Sequence, residues 1–149
     1  MRLLHLPEAL HDEGVTFRTV AGAETRGVEF PSTPRAVLMH WTAGPITGWA
    51  PSLGVCTYGR GGTNPLKGPL CQLLQSREPD QWELDVVYVV ALGIANHAGS
   101  GSWRGISGNS CSTGLEVEWA GPTEPFHNVR RRRETSIRCL RALLKVSAP

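Results

Sequence analysis

The chain has 149 residues, of which 40% are hydrophobic and 19% charged, with a net charge of +2. That length suits one domain with its own core, and the composition excludes a disordered chain and gives no general reason to expect nucleic acid as partner. The 17 Gly and 11 Pro exclude a helix bundle and point to a loop-rich α/β or β domain.

The N-terminal residues 1–34 read as a lead-in segment. They begin with Leu3 and Leu4 and then carry His5, Pro7, Glu8 and Asp12, which is not the basic start and unbroken apolar core of a secretory signal. Synthesis in a cytoplasm, without a signal peptide, is the expectation. The longest apolar run, residues 86–95, is far below the ~18 to 20 residues that span a bilayer, so no membrane span is expected. Cys56, Cys71, Cys111 and Cys139 form no CxxC pair, and they read as free thiols.

Four apolar stretches of strand length follow, each bounded by Gly, Pro, Asn or Asp: 35–41 (RAVLMHW), 69–76 (PLCQLLQS), 85–92 (DVVYVVAL) and 113–119 (TGLEVEW). The third is β-branched and expected to be buried on both faces. Between the first two lies a Gly- and Pro-rich connection, residues 42–68, that admits a short helix near 52–58. Between the third and fourth lies residues 93–112 (GIANHAGSGSWRGISGNSCS), a glycine-rich loop with a His, a Trp and two Asn. A long aperiodic loop of this kind is a place to look for a substrate. Residues 134–146 place Ile137, Leu140, Leu143, Leu144 and Val146 near helical spacing with Arg138, Arg141 and Lys145 outside, which predicts a helix.

Chemistry concentrates at three places. His40 ends the first strand before Trp41, Thr42, Ala43 and Gly44; its ring suits a metal or a general base at a cleft, or else it is a satisfied, half-buried strand-end histidine. His97 stands in the Asn96-His97-Ala98-Gly99 turn, able to donate to a sugar or peptide carbonyl or to bond its own loop. Glu116 and Glu118 are two apart on a strand, so both point to the face opposite Leu115, Val117 and Trp119. If that face is solvated they carry no meaning; beside a metal-bound water one of them is a general base. The basic run of residues 130–133, ahead of the helix, reads as a solvated segment or as an electrostatic attraction for an anionic polymer. It lacks interleaved aromatics, so no specific nucleic-acid recognition is expected.

In order along the chain, VLMHWTAG (37–44), GPLCQLLQSR (68–77), VYVVALGIANHAGSGSW (87–103) and GNSCSTGLEVEWAG (108–121) resemble one family. It is the zinc-dependent N-acetylmuramoyl-L-alanine amidases of the type-2 amidase and peptidoglycan-recognition superfamily. The likeness is greatest to the amidase domains of endolysins from phages of actinobacteria.

The resemblance implies an α/β (α+β) fold with a mixed central β-sheet flanked by helices, and an amidase-like domain over residues 35–149. It implies hydrolysis of the amide between the lactyl group of N-acetylmuramic acid and L-alanine. His40 matches the family's first zinc ligand and Glu116 the glutamate that activates the zinc-bound water. Asn96 and His97, with Trp41 and Trp103, match the groove that holds muramyl peptide. Where many relatives carry a catalytic tyrosine, this chain has Cys71. The family's remaining zinc ligands fall beyond the helix of residues 134–146. The domain is therefore expected to lack that C-terminal segment and to hold an incomplete zinc site. The partner implied is bacterial peptidoglycan, met as a monomer after release from the cytoplasm. The alternative is a non-catalytic peptidoglycan-binding module that keeps the ANHAG groove.

Overall fold

The structure, a computed structural model, describes residues 1–77, 86–99, 102–103, 106–122 and 129–147. The elements run α1 (Leu6–Asp12), β1 (Phe17–Thr19), β2 (Ala36–Trp41), α2 (Leu53–Tyr58), β3 (Gly59–Arg60), β4 (Leu66–Lys67), β5 (Leu73–Gln75) and β6 (Val87–Val89). They continue with β7 (Ser102–Trp103), β8 (Ile106–Ser107), a 3-10 turn (Asn109–Cys111), β9 (Ser112–Val117) and α3 (Val129–Ser147).

Five strands form one mixed sheet in the order β1-β6-β5-β9-β2. Only β5 and β6 run antiparallel; β1 with β6, β5 with β9 and β9 with β2 are parallel. Helices flank this sheet, so the mixed central sheet expected from the resemblance is present. Among the described residues, no helix is long and apolar enough to cross a membrane.

Alternation along the strands divides the sheet into two faces. Leu73, Val87, Val89, Leu115 and Val117 face one core, which α1 closes with Leu6, Ala9 and Leu10, and α3 with Cys139, Ala142 and Leu143. Leu74 faces the other side, in a smaller cluster with Cys56, Cys71 and Val90, against which Leu53 and Tyr88 pack. The first face carries most of the apolar core, with Gln75 bonded to the Arg132 carbonyl and to Ser136 of α3, and Thr113 beside Ser147. Among the described residues the second face is covered by Ala50 and by Leu53 of α2.

The apolar stretches give shorter strands than their length suggests. In residues 69–76 only Leu73–Gln75 is strand. Pro69 has no N–H to give a ladder, and the approach to the strand is held instead by the Gln72 side chain. Its Nε2 donates to the Gly93 carbonyl at 2.8 Å and its Oε1 accepts from the Gly114 amide at 2.6 Å. Beyond β6 the backbone leaves the ladder but stays bonded: Val90 donates to the Gln72 carbonyl at 2.9 Å and Leu92 to that of Ala23 at 2.9 Å.

The lead-in segment belongs to this same core. Leu3, Leu6, Leu10 and Phe30 are fully buried in it, and β1 forms an edge strand of the sheet. The amides of Leu3, Gly93 and Ile94 donate to the carbonyls of Leu92, Arg26 and Val28 respectively, which ties residues 1–34 to the segment after β6. Contact is close enough that Gly27, at φ +77°, admits no side chain: a Cβ there would stand 2.3 Å from the Ile94 carbonyl oxygen.

Helix α3 starts five residues ahead of its apolar periodicity, because Arg130 to Arg133 are good helix formers and join its first turns. Arg132 is not on a solvated face. It is 4% exposed and its Nη2 donates to the Glu118 carbonyl, so the basic run is divided between surface and interior.

A candidate active site at the carboxyl ends of parallel strands

The strands β2 and β9 lie side by side in parallel with Leu38 opposite Gly114 and His40 opposite Glu116. His40 and Glu116 are each the penultimate residue of their strand. Both therefore stand at the carboxyl end of the parallel part of the sheet, where open α/β sheets commonly receive ligands. The same alternation sets them on the face of the smaller cluster, with Leu74 of β5 opposite Glu116 on the other side.

His97 reaches this face from the glycine-rich loop. Its ring lies on Gly114, where an added Cβ would come within 2.7 Å of the ring Cγ. Only a residue without a side chain leaves that space. Nε2 of His97 lies 3.2 Å from the Ser112 carbonyl, so it carries the proton and donates, and Nδ1 keeps its lone pair. The rings of His40 and His97 are tilted at 57° with centroids 6.1 Å apart.

Among the described residues, three buried polar atoms in this cluster have no hydrogen-bond partner: His40 Nε2, His97 Nδ1 and Glu116 Oε2. Buried polar groups are nearly always paired, so three orphans on one patch mark a place prepared for something else. Their electrostatics agree. Burial, reinforced by the nearby Glu118 carboxylate, raises Glu116 to about 7. Burial lowers His97 to about 4, against an opposing contribution from the Ser112 carbonyl, and His40 adds to the lowering. Burial also lowers His40 below the usual imidazole range. At neutral pH both imidazoles are uncharged, and Glu116 is poised to take or give a proton.

Glu118 has a different role from Glu116. It is fully buried and accepts from the Ser52 amide at 2.7 Å, the Ser52 hydroxyl at 3.0 Å and the Thr42 hydroxyl at 2.9 Å. It thereby ties both ends of the 42–52 connection, which leads from β2 to α2, to the end of β9. Sequence reasoning missed Thr42 and Ser52 as its partners, since nothing in their spacing points to a residue 66 or 76 positions away. Cys71, the counterpart of the family tyrosine, is fully buried beside Cys56. Burial, the Cys56 contact and the carboxylates of Glu116 and Glu118 push its thiol well up, so it is a neutral packing group here.

The groove residues expected from the resemblance are dispersed. His97 is in the cluster. Asn96 is engaged inside the loop: its Nδ2 donates to the Lys67 carbonyl at 2.7 Å and its Oδ1 accepts from Asn109 at 3.2 Å. Asn109 in turn accepts from the Ala98 amide at 2.7 Å, so the two asparagines hold the turn that presents His97. Trp41 is adjacent to His40 and so faces the other side of the sheet. There it is 60% exposed and packs edge-on against Trp119 at 5.7 Å. It lines a cavity of about 550 Å³ with Met39, Val117, Ile137 and Leu140. Trp103 pairs with Ile106 in the short β7-β8 ribbon, and its side chain lies outside the described residues.

A zinc site of the kind the resemblance implies needs three protein donors. Among the described residues no group of three His, Cys, Asp or Glu side chains is placed to hold a metal ion. His40 offers an unpartnered, uncharged nitrogen, as a first ligand must, but the described donor set does not fit the family's three-ligand cage. No family profile, curated protein or solved structure matches the chain.

Proposed function

We propose that this chain is a peptidoglycan amidase domain that acts on the bond between the lactyl group of N-acetylmuramic acid and L-alanine. The observation that carries the reading is the convergence of His40, His97 and Glu116, each with an unpartnered buried atom, in the segments that resemble the amidases. Glu116 is the proton-transfer residue. Its carboxylate takes a proton from water as the water oxygen adds to the amide carbonyl carbon. The same proton then goes to the alanine nitrogen as the carbon–nitrogen bond breaks. A pKa of about 7 suits both halves of that exchange. His97 and His40, neutral and unpartnered, accept hydrogen bonds from water and from the substrate amide, and the loop clasped by Asn96 and Asn109 forms one wall.

The test is incubation of purified protein with purified cell walls, read as stem peptides released with a free L-alanine amino group. The expected result is release, reduced at least 100-fold in Glu116→Gln. No release by the wild-type protein overturns the enzymatic reading.

A second reading, a peptidoglycan-binding module without catalysis, is favoured by the want of a three-donor group among the described residues. Under it, insoluble cell wall retains the wild-type protein, Glu116→Gln is retained equally, and no peptide is released. The substrate in both readings is a wall polymer, reached after release of the protein from the cell that makes it.

A further inference from the structure

We infer that the outer side of α3, together with the end of β2, is a docking surface for a bilayer rich in anionic lipid, on which the protein lies without crossing it. The inference does not rest on the peptidoglycan reading.

The surface follows from spacing along α3. Arg130, Arg133, Ile137, Arg141 and Leu144 are separated by three, four, four and three residues, so they share one side of the helix. All five are exposed, Ile137 by 49% and Leu144 by 51%, while Cys139, Ala142 and Leu143 point the other way into the core. A helix that meets only water carries polar residues on its outer side. This one intersperses guanidinium groups with branched aliphatic side chains.

Strand β2 extends the same surface. Arg132 Nη2 donates to the Glu118 carbonyl, and at the other end the Thr113 and Ser147 hydroxyls are 3.4 Å apart, so α3 runs antiparallel to β9 and to β2 beside it. β2 is the edge strand of the sheet, and its Met39 and Trp41 are 55% and 60% exposed. Both stand with Ile137 in the wall of the cavity of about 550 Å³, and Leu144 lies two turns further along α3. Met39, Trp41, Ile137 and Leu144 thus make a group, where a soluble surface carries such side chains singly.

Charge identifies the occupant. Among the described residues Glu134 pairs with Arg130 at 3.1 Å, whereas Arg133 and Arg141 form no salt bridge, and no Asp or Glu lines the cavity. A purely apolar partner leaves these two guanidinium groups without counter-ions. A soluble anionic polymer leaves the apolar group in water. An anionic bilayer meets both along the whole ridge from Arg130 to Leu144, a length of about 21 Å. Its phosphates face the arginines, its acyl boundary takes Ile137 and Leu144, and Trp41 sits at headgroup depth, where indoles concentrate.

The experiment is co-sedimentation of the full chain with vesicles of phosphatidylglycerol and phosphatidylcholine in equal amounts, with tryptophan emission recorded on the same samples. Pure phosphatidylcholine vesicles and a soluble DNA duplex are the comparisons. The expected result is binding to the mixed vesicles, roughly tenfold weaker binding to phosphatidylcholine alone, and a blue shift of emission that Trp41→Phe diminishes. Each arginine near an anionic bilayer contributes roughly fivefold to partitioning, so Arg133→Gln combined with Arg141→Gln binds about 25-fold more weakly. Ile137→Ser combined with Leu144→Ser binds vesicles roughly fivefold more weakly, while any retention of DNA is unchanged. All four positions are on the surface, and circular dichroism verifies that the variants keep their helices. No binding to the mixed vesicles, or equal binding to the two vesicle types, overturns the inference. Serine variants that bind vesicles as the wild type does also overturn it, and DNA held more tightly than vesicles in that case makes the ridge a polyanion site.

Discussion

The imidazole of His97 occupies the volume that a side chain on Gly114 would fill: a Cβ at that position would lie 2.7 Å from the ring Cγ and 3.0 Å from Nδ1. Gly114 is buried in the sheet, opposite Leu38 of β2 and two residues before Glu116, so its missing side chain is what lets a loop histidine join two strand residues.

Gly114→Ala is therefore expected to displace His97 while the strand itself persists, since Gly114 has no positive φ and alanine fits its backbone. The added methyl costs about 1 to 3 kcal/mol of stability as overpacking. It should also move the His97 ring out of its buried place, so that its pKa rises from about 4 toward the ordinary imidazole range. Denaturant unfolding and the pH titration of the imidazole resonances on one sample check both effects. An unchanged His97 titration would separate the glycine from the histidine.

The pH dependence of stability follows from the signs of the shifts. Glu116 has its folded pKa raised to about 7 from an ordinary 4.5, so the folded protein holds a proton that the unfolded chain releases. Its contribution to stability is most favourable below 4.5 and is lost as pH rises through 7. His97, lowered to about 4 from 6.5, acts in the opposite direction: stability is lost as pH falls from 6.5 toward 4. Glu116→Gln is expected to abolish the alkaline-side loss, on the order of 2 kcal/mol, and to be more stable than the wild type at pH 8. Unfolding curves at pH 5 and pH 8 decide it, and a parallel pH dependence in the two proteins would refute the assignment.

Glu118 binds three donors on Ser52 and Thr42, and hydrogen bonds to a charged acceptor are worth about 1.5 to 3 kcal/mol each. Glu118→Gln places an NH2 group against donors and is expected to destabilise by roughly 2 to 4 kcal/mol. Amide exchange should quicken over residues 42–52. Because the Glu118 charge helps raise Glu116, the pKa of Glu116 should also move down, which the carboxyl carbon resonance reports directly. The same connection is sensitive at Gly44, where a Cβ would stand 2.4 Å from the Ser52 hydroxyl oxygen.

Leu143 of α3 is fully buried in the larger core, on the face of the sheet away from His40 and Glu116. Leu143→Ala is expected to cost about 2 to 5 kcal/mol. The pKa of Glu116, about 7, should remain that of the wild type in the folded variant, because Glu116 lies on the opposite face of the sheet. A change of about one unit in the folded variant would show that the faces are coupled.

Much of the architecture is legible along the chain. Alternating and β-branched runs mark β2, β6 and β9, and the spacing of Leu140, Leu143 and Leu144 marks α3, because burial on one side of a strand or helix imposes a period that local sequence must carry. The same logic makes His40 and Glu116 candidates, each at a strand end. What the sequence does not carry is register and mutual approach. The pairing of His40 with Glu116 depends on two strands more than 70 residues apart lying in parallel in one particular register. That Arg132 is buried, that Trp41 faces away from His40, and that residues 1–34 complete the core likewise depend on which surfaces meet. The sequence by itself marked β2, β6, β9 and α3 and offered His40, His97 and the Glu116 and Glu118 pair as candidates. Tertiary structure alone decided that His97 stands beside His40 and Glu116 and that Asn96 holds the loop. The physical reason is that these contacts are set by volume left empty at Gly114 and by backbone carbonyls at Ser112 and Lys67, and neither leaves a periodic trace in the chain.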